Sequence, residues 1–162
     1  MARLDLPTSP RTAVFRQLIA ILRADPVLSA TLKTLLCWEG KPTDAQDLTT
    51  GNAPALRVTP ANGPDEWRYP EAFAGDLYLN CELLVTGYDA DDLFNLWWAI
   101  QRAIYPASFA AKTANVAALQ AAGSRTGLAE FSMIATVDLP PDSNLQHAMG
   151  QIKINILEQL TT

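Results

Sequence analysis

Apolar and polar residues alternate along this chain in two rhythms, and the changes between them divide it into elements. Ser9-Pro10 has the form of a helix N-cap followed by a first-turn proline, and Val14, Phe15, Leu18, Ile21 and Leu22 then recur at helical spacing until Asp25-Pro26 stops them. The spacing predicts a helix with one apolar side and Arg16 and Arg23 on the other. From Asp76 to Thr86 the period drops to two, with Leu77, Leu79, Cys81, Leu83 and Val85 facing one way and Tyr78, Asn80, Glu82 and Thr86 the other. Leu128–Leu139 sets Phe131, Met133, Ala135 and Val137 against Glu130, Ser132, Thr136 and Asp138, and Met149–Leu160 sets Ile152, Ile154 and Ile156 against Gln151, Lys153 and Asn155. These are strands. A second helix follows the Gly87-Tyr88-Asp89 turn, capped by Asp89 with Asp92 three places on. Leu93, Leu96, Trp97, Ile100 and Ile104 form its apolar face, and Tyr105-Pro106 ends it.

Other segments are less regular. Thr31–Glu39 has the apolar, β-branched character of a strand, although its helical alternative stays open, and Gly40-Lys41-Pro42 stops it. Lys41–Asn52 is polar and without a period, hence a loop. Pro54–Pro60 is a short strand with a proline at each end, a placement that suits a sheet edge. Ala61–Gly75 reads as a long irregular loop holding Trp67, Tyr69 and Phe73 among Pro64 and Pro70. Phe109–Ala122 is alanine-rich, with Val116 and Leu119 as its larger aliphatics, and fits either a short helix or a mobile insertion. Gly51, Gly63, Gly75 and Gly87 recur every twelve residues, but the intervening segments share no pattern, so they punctuate strands rather than mark a repeat.

The resulting order is α, β, β, β, α, β, β. Sequential antiparallel pairing with both helices on one face buries every apolar stripe. The expected architecture is one α+β domain over residues 1–162, a mixed, mainly antiparallel sheet of four to five strands with two main helices on one face. Residues 107–123 are a candidate inserted arm within it.

Composition narrows the class. With 49% hydrophobic residues in 162, the chain can fill a core without disulfides or metal. Its charged fraction of 18% is below the roughly 25% of an average soluble domain, so surplus apolar surface is expected to end in an interface. A net charge of −5 and no basic run argue against binding phosphate backbones, and suit a surface that DNA slides past. The apolar stretch Val14–Leu22 is broken by Arg16 and Gln17, unlike a signal peptide, and the longest apolar runs, such as Leu96–Ile100, are too short to span a membrane. A soluble protein made in a cytosol is expected. Cys37 and Cys81 sit in apolar stretches and read as small buried hydrophobes.

Few residues of the sequence carry candidate chemistry. The one histidine, His147, has Asp142 and Ser143 near it in sequence, but neighbours on one loop seldom supply triad geometry, so it reads as a partly exposed loop residue. Asp89, Asp91 and Asp92 are explained by capping rather than by a bound cation. There is no phosphate-cradling glycine loop, Cys-x-x-Cys or nucleophile elbow. No catalytic residue, cofactor or metal is expected. Trp97 and Trp98 point about 100° apart on a helix and cannot both enter one core. Trp98 therefore either packs under a neighbouring loop or meets another subunit. Trp67, Tyr69 and Phe73 pose the same choice between pinning their own loop and anchoring an interface, and Phe109 in the 107–123 segment joins them as a candidate contact.

The succession of a first helix, the segment PALRVTP, an aromatic stretch, GDLYLNCELLVTGYDADDLFNLWWAIQRAIYP and the closing QIKINILEQL resembles the tail terminator, or tail-completion, proteins of long-tailed bacteriophages. The likeness covers most of the chain in order and kind of element. It implies a homo-oligomeric, six-fold ring in the neck region of the virion tail, made in the host cytoplasm. Such a ring sits on the last ring of tail tube protein, ends its polymerisation and presents a surface to the head-side connector or neck protein. DNA passes through it without specific binding, and no membrane is involved. Two other readings stand beside this one: another neck component (head closure) or minor tail protein, and a small-molecule-binding or hydrolytic α+β domain with a deep pocket of convergent polar groups.

Overall fold

The computed structural model describes residues 8–37, 53–61, 65–69, 72–87, 91–137 and 145–159. Helix α1 (Pro10–Ala24) begins as the sequence predicts, with the Ser9 hydroxyl accepting from the Thr12 amide at 3.2 Å and proline in the first turn. Asp25 ends it and also starts a second helix, α2 (Pro26–Thr31), by accepting from the Leu28 amide at 2.9 Å. The Asp25-Pro26 pair that reads as a stop is thus also a start, a repeat of the Ser9-Pro10 signal, and the expected plain connection is a short helix.

The strands follow: β1 (Thr34–Cys37), β2 (Ala55–Ala61), β3 (Asp65–Tyr69) and β4 (Ala72–Thr86). Helices α3 (Asp91–Ile104) and α4 (Phe109–Ala121) come next, then β5 (Ser124–Val137) and β6 (Leu145–Gln159). All six strands join one mixed sheet in the order β1-β2-β4-β6-β5, with β3 also on β4. The β4–β6 ladder runs antiparallel from Ala72↔Gln159 to Thr86↔Leu145. Because β6 fills one side of β4 throughout, β3 and β2 share the other, β3 at Ala72–Gly75 and β2 at Tyr78–Leu84.

Three expectations change here. Pairing is not sequential: β6 lies between β4 and β5, and β1 runs parallel to β2. PALRVTP is not at an edge, since β2 lies between β1 and β4. Its proline is tolerated because the β1 ladder ends at Val58, two residues before Pro60, so the missing amide breaks no bond to β1. Finally, the described residues of 61–75 are strand and not loop. They contain β3 and the start of β4, paired as a hairpin in which Trp67 stands opposite Phe73.

One face of the sheet carries the core. Leu77, Leu79, Cys81, Leu83 and Val85 of β4 and Ile152, Ile154 and Ile156 of β6 are buried beneath α1 and α3. Helix α3 contributes the five predicted apolar residues and Ala103. Trp97 lies flat on β6 at Gly150, where an added Cβ would come within 2.5 Å of the indole ring. Phe131 of β5 meets the rings of Trp97 and Tyr105 edge-on, at centroid distances of 6.2 and 5.8 Å. The Tyr105 hydroxyl bonds to the backbone of Ala129, so the end of α3 is tied to β5.

The alanine-rich segment takes the helical alternative. Helix α4 packs on β5 and α1, buries Leu119 fully, and sends Asn115 Nδ2 to the terminal carbonyls of α3, Ala103 O at 3.1 Å and Ile104 O at 3.0 Å. Gly127, with φ 66°, passes so close that a Cβ would collide with the Val116 carbonyl.

Two outcomes are expected. Leu83 is fully buried, so Leu83→Ala should lower the unfolding free energy by about 2–5 kcal/mol, read from denaturation midpoints; a loss below about 0.5 kcal/mol would place the side chain outside the core. Burial pushes the Cys81 thiol up to about 12, so it stays protonated and should resist thiol reagents at pH 9 until the chain is unfolded, as peptide mapping by mass spectrometry would show.

Candidate interaction surface

The sheet face away from the helices is polar, and among the described residues its charges at Arg57, Asp76, Glu82, Glu130 and Lys153 are matched within the chain. The pairs are direct cross-strand partners: Arg57 with Glu82, Asn80 with Gln151 at 3.2 Å, Asp76 with Asn155, and Glu130 with Lys153 at 3.8 Å. Lys153 Nζ also lies 3.4 Å from Asp76, whose carboxylate, with their hydrogen bond and then Glu130, holds the ammonium above its ordinary value. At one end of this face Ala53, Ala55 and Leu84 form a small apolar cluster with Leu145. A face so paired presents no single sign of charge to a ligand.

His147 is on β6, opposite Leu84 and Val137, not on a loop as its sequence neighbours suggest, and its Nε2 is enclosed without a hydrogen-bond partner. Asp142, Ser143 and Asp89 lie outside the described residues. Asp91 and Asp92 occupy the first turn of α3, where their charge suits the helix dipole. Among the described residues no group of three or more His, Cys, Asp or Glu could hold a metal ion, and no helix is long and apolar enough to cross a membrane.

The aromatic candidates divide into two sets. Trp67 and Tyr69 are on β3 and Phe73 on β4, so the backbone gathers them on one hairpin, with Trp67 and Phe73 in register. Their side chains fall outside the described residues. Trp98 and Phe109 stand in solvent, 61% and 83% exposed. Trp98 is not under a loop; Phe94, Trp98 and Arg102 follow one another at i, i+4 and i+8 on α3, with the guanidinium 5.4 Å from the indole centroid.

Sequence reasoning missed Phe94 and Val27, both 58% exposed. The signal for Phe94 was present, since it shares the helix side of Trp98 and lies away from Leu93 and Trp97. Val27 had none, because α2 was not expected. Between α2 and α3 runs a groove of about 470 Å³ lined by Val27, Thr31, Pro54, Val85, Thr86, Leu96, Trp98 and Ala99, together with Asp92 and Asn95. Among the described residues its polar content is one carboxylate, one amide and two threonine hydroxyls.

No family model and no curated protein matches the chain. Among solved structures, a chain from the virion of a native gene transfer agent (GTA) particle aligns over 91% of this chain and 94% of its own length, with 14% identity and a TM-score of 0.38. A likeness of that size assigns neither fold nor function.

Proposed function

We propose that this chain is a structural subunit of a phage-type virion, and within that class a tail terminator. Six copies close into a ring that caps the tail tube, stops its polymerisation and joins it to the head-side connector. Its work is done by contact and not by catalysis. One observation carries the reading: Phe94, Trp98 and Phe109 stand exposed on the helices while the polar sheet face is matched within the chain. Exposed aromatic anchors on the helix side, away from the charged sheet face, match the composition of a protein interface core, where aromatics are enriched and charge is depleted. The succession of sequence segments that resembles tail terminators supports the same reading.

The test is assembly in the host that makes the virion. Removing this chain should leave filled heads and tails unjoined, with tubes of unregulated length in electron micrographs, and supplying it in trans should restore joined particles. Joined particles of normal tail length without the chain would overturn the proposal.

A further inference from the structure

The groove and the exposed Phe109 lie at opposite margins of the sheet. Leu32 and Lys33 lead from α2 into β1, and the Lys33 amide bonds to Pro54 O at 2.8 Å, so the groove that Pro54 helps to line sits at the β1–β2 margin. Helix α4 packs on β5, the strand at the other edge. Phe109 is the first residue of α4, after the Ser108 cap, and is 83% exposed.

We propose that the ring closes head to tail, with Phe109 of one copy seated in the α2–α3 groove of the next. The inference rests on the ring reading above and names its contact. An apolar side chain at one margin and an apolar groove at the other form a heterologous pair: every copy offers a projection to one neighbour and a recess to the other, and a rotation that closes makes a ring. Charge agrees. Lys112 follows Phe109 by three residues, on the same side of α4, with Nζ 5.6 Å from the Tyr105 ring centroid, and Asp92 lines the groove. Seating the phenyl group brings the ammonium of one copy towards the carboxylate of the other, which favours this docking over its reverse. The projection is also pre-formed, because Asn115, Leu119 and the approach of Gly127 to Val116 fix α4 on its own subunit, so little ordering is left to the moment of contact. A phenyl side chain that enters such a recess buries on the order of 150–250 Å².

The test uses two single variants of the full chain, Phe109→Asp and Trp98→Asp. Both positions are exposed, so each variant should keep the wild-type circular dichroism and thermal midpoint. By native mass spectrometry the wild type should show the ring mass and each variant alone the monomer. An equal mixture should give a dimer and nothing larger, because it holds one intact projection and one intact groove. A variant that still forms the ring, or a mixture that stays monomeric, overturns this contact and leaves the ring reading standing. A wild-type chain that remains monomeric even with tail tube protein removes the ring reading, and this contact with it. Should either variant unfold, Asp92→Cys combined with Lys112→Cys and Cys37→Ser, which keeps Phe109, supplies the answer. Oxidation should then link copies through residues 92 and 112, and linkage elsewhere, or none, rejects the proposal.

Discussion

The structure depends on the ladder between β4 and β6, fifteen registered pairs in which Leu77, Leu79, Cys81, Leu83 and Val85 on one strand and Ile152, Ile154 and Ile156 on the other face the helices. Pairing and burial enforce each other. A slip of one residue would turn Ile152, Ile154 and Ile156 to the polar face and bring Gln151, Lys153 and Asn155 under α1 and α3. Gly150 sharpens the constraint, since it is the place on β6 where the Trp97 indole lies against backbone, so helix and strand are indexed to one another by a residue without a side chain. With that indexing fixed, Trp98 and Phe94 are left outside as a matter of helix geometry.

The elements legible in the sequence were those whose signals are local. Ser9-Pro10 marks the start of α1, and the alternation around Leu77–Val85 marks the inner face of β4, because capping and pleat act on adjacent residues. An α+β fold with helices on one face of a mixed, mainly antiparallel sheet followed from those stripes. What failed depended on distance along the chain. The parallel union of Thr34–Cys37 with Ala55–Val58 brings together segments some twenty residues apart, and nothing in either specifies the other. The position of β6 between β4 and β5 is equally invisible locally, since the β5–β6 hairpin could meet β4 with either strand. Pro64 and Pro70 hid β3 by flanking it with residues that usually signal loops.

The candidate site was half legible for the same reason. The angle between Trp97 and Trp98 placed one of them at a boundary, and Trp98 is there. The groove beside it needed α2, whose starting signal looked like the end of α1. Phe109 was legible as a candidate contact in the 107–123 segment, but the helix that carries it was not, since α4 is held by Asn115 closing the end of α3 and Leu119 sinking into the core. In the proposed ring this division of labour is economical. The polar face neutralises itself, the inner face holds the fold, and the exposed aromatics remain for partners.

The central claim is that the chain acts as a closed ring on the end of a tube, and the most direct measurement is electron microscopy of tail tube protein polymerising with and without it. A closed ring should give six-fold density of this chain on one end of each tube and growth that stops there. Tubes that grow unchecked with bare ends, in the presence of the folded chain, would contradict it.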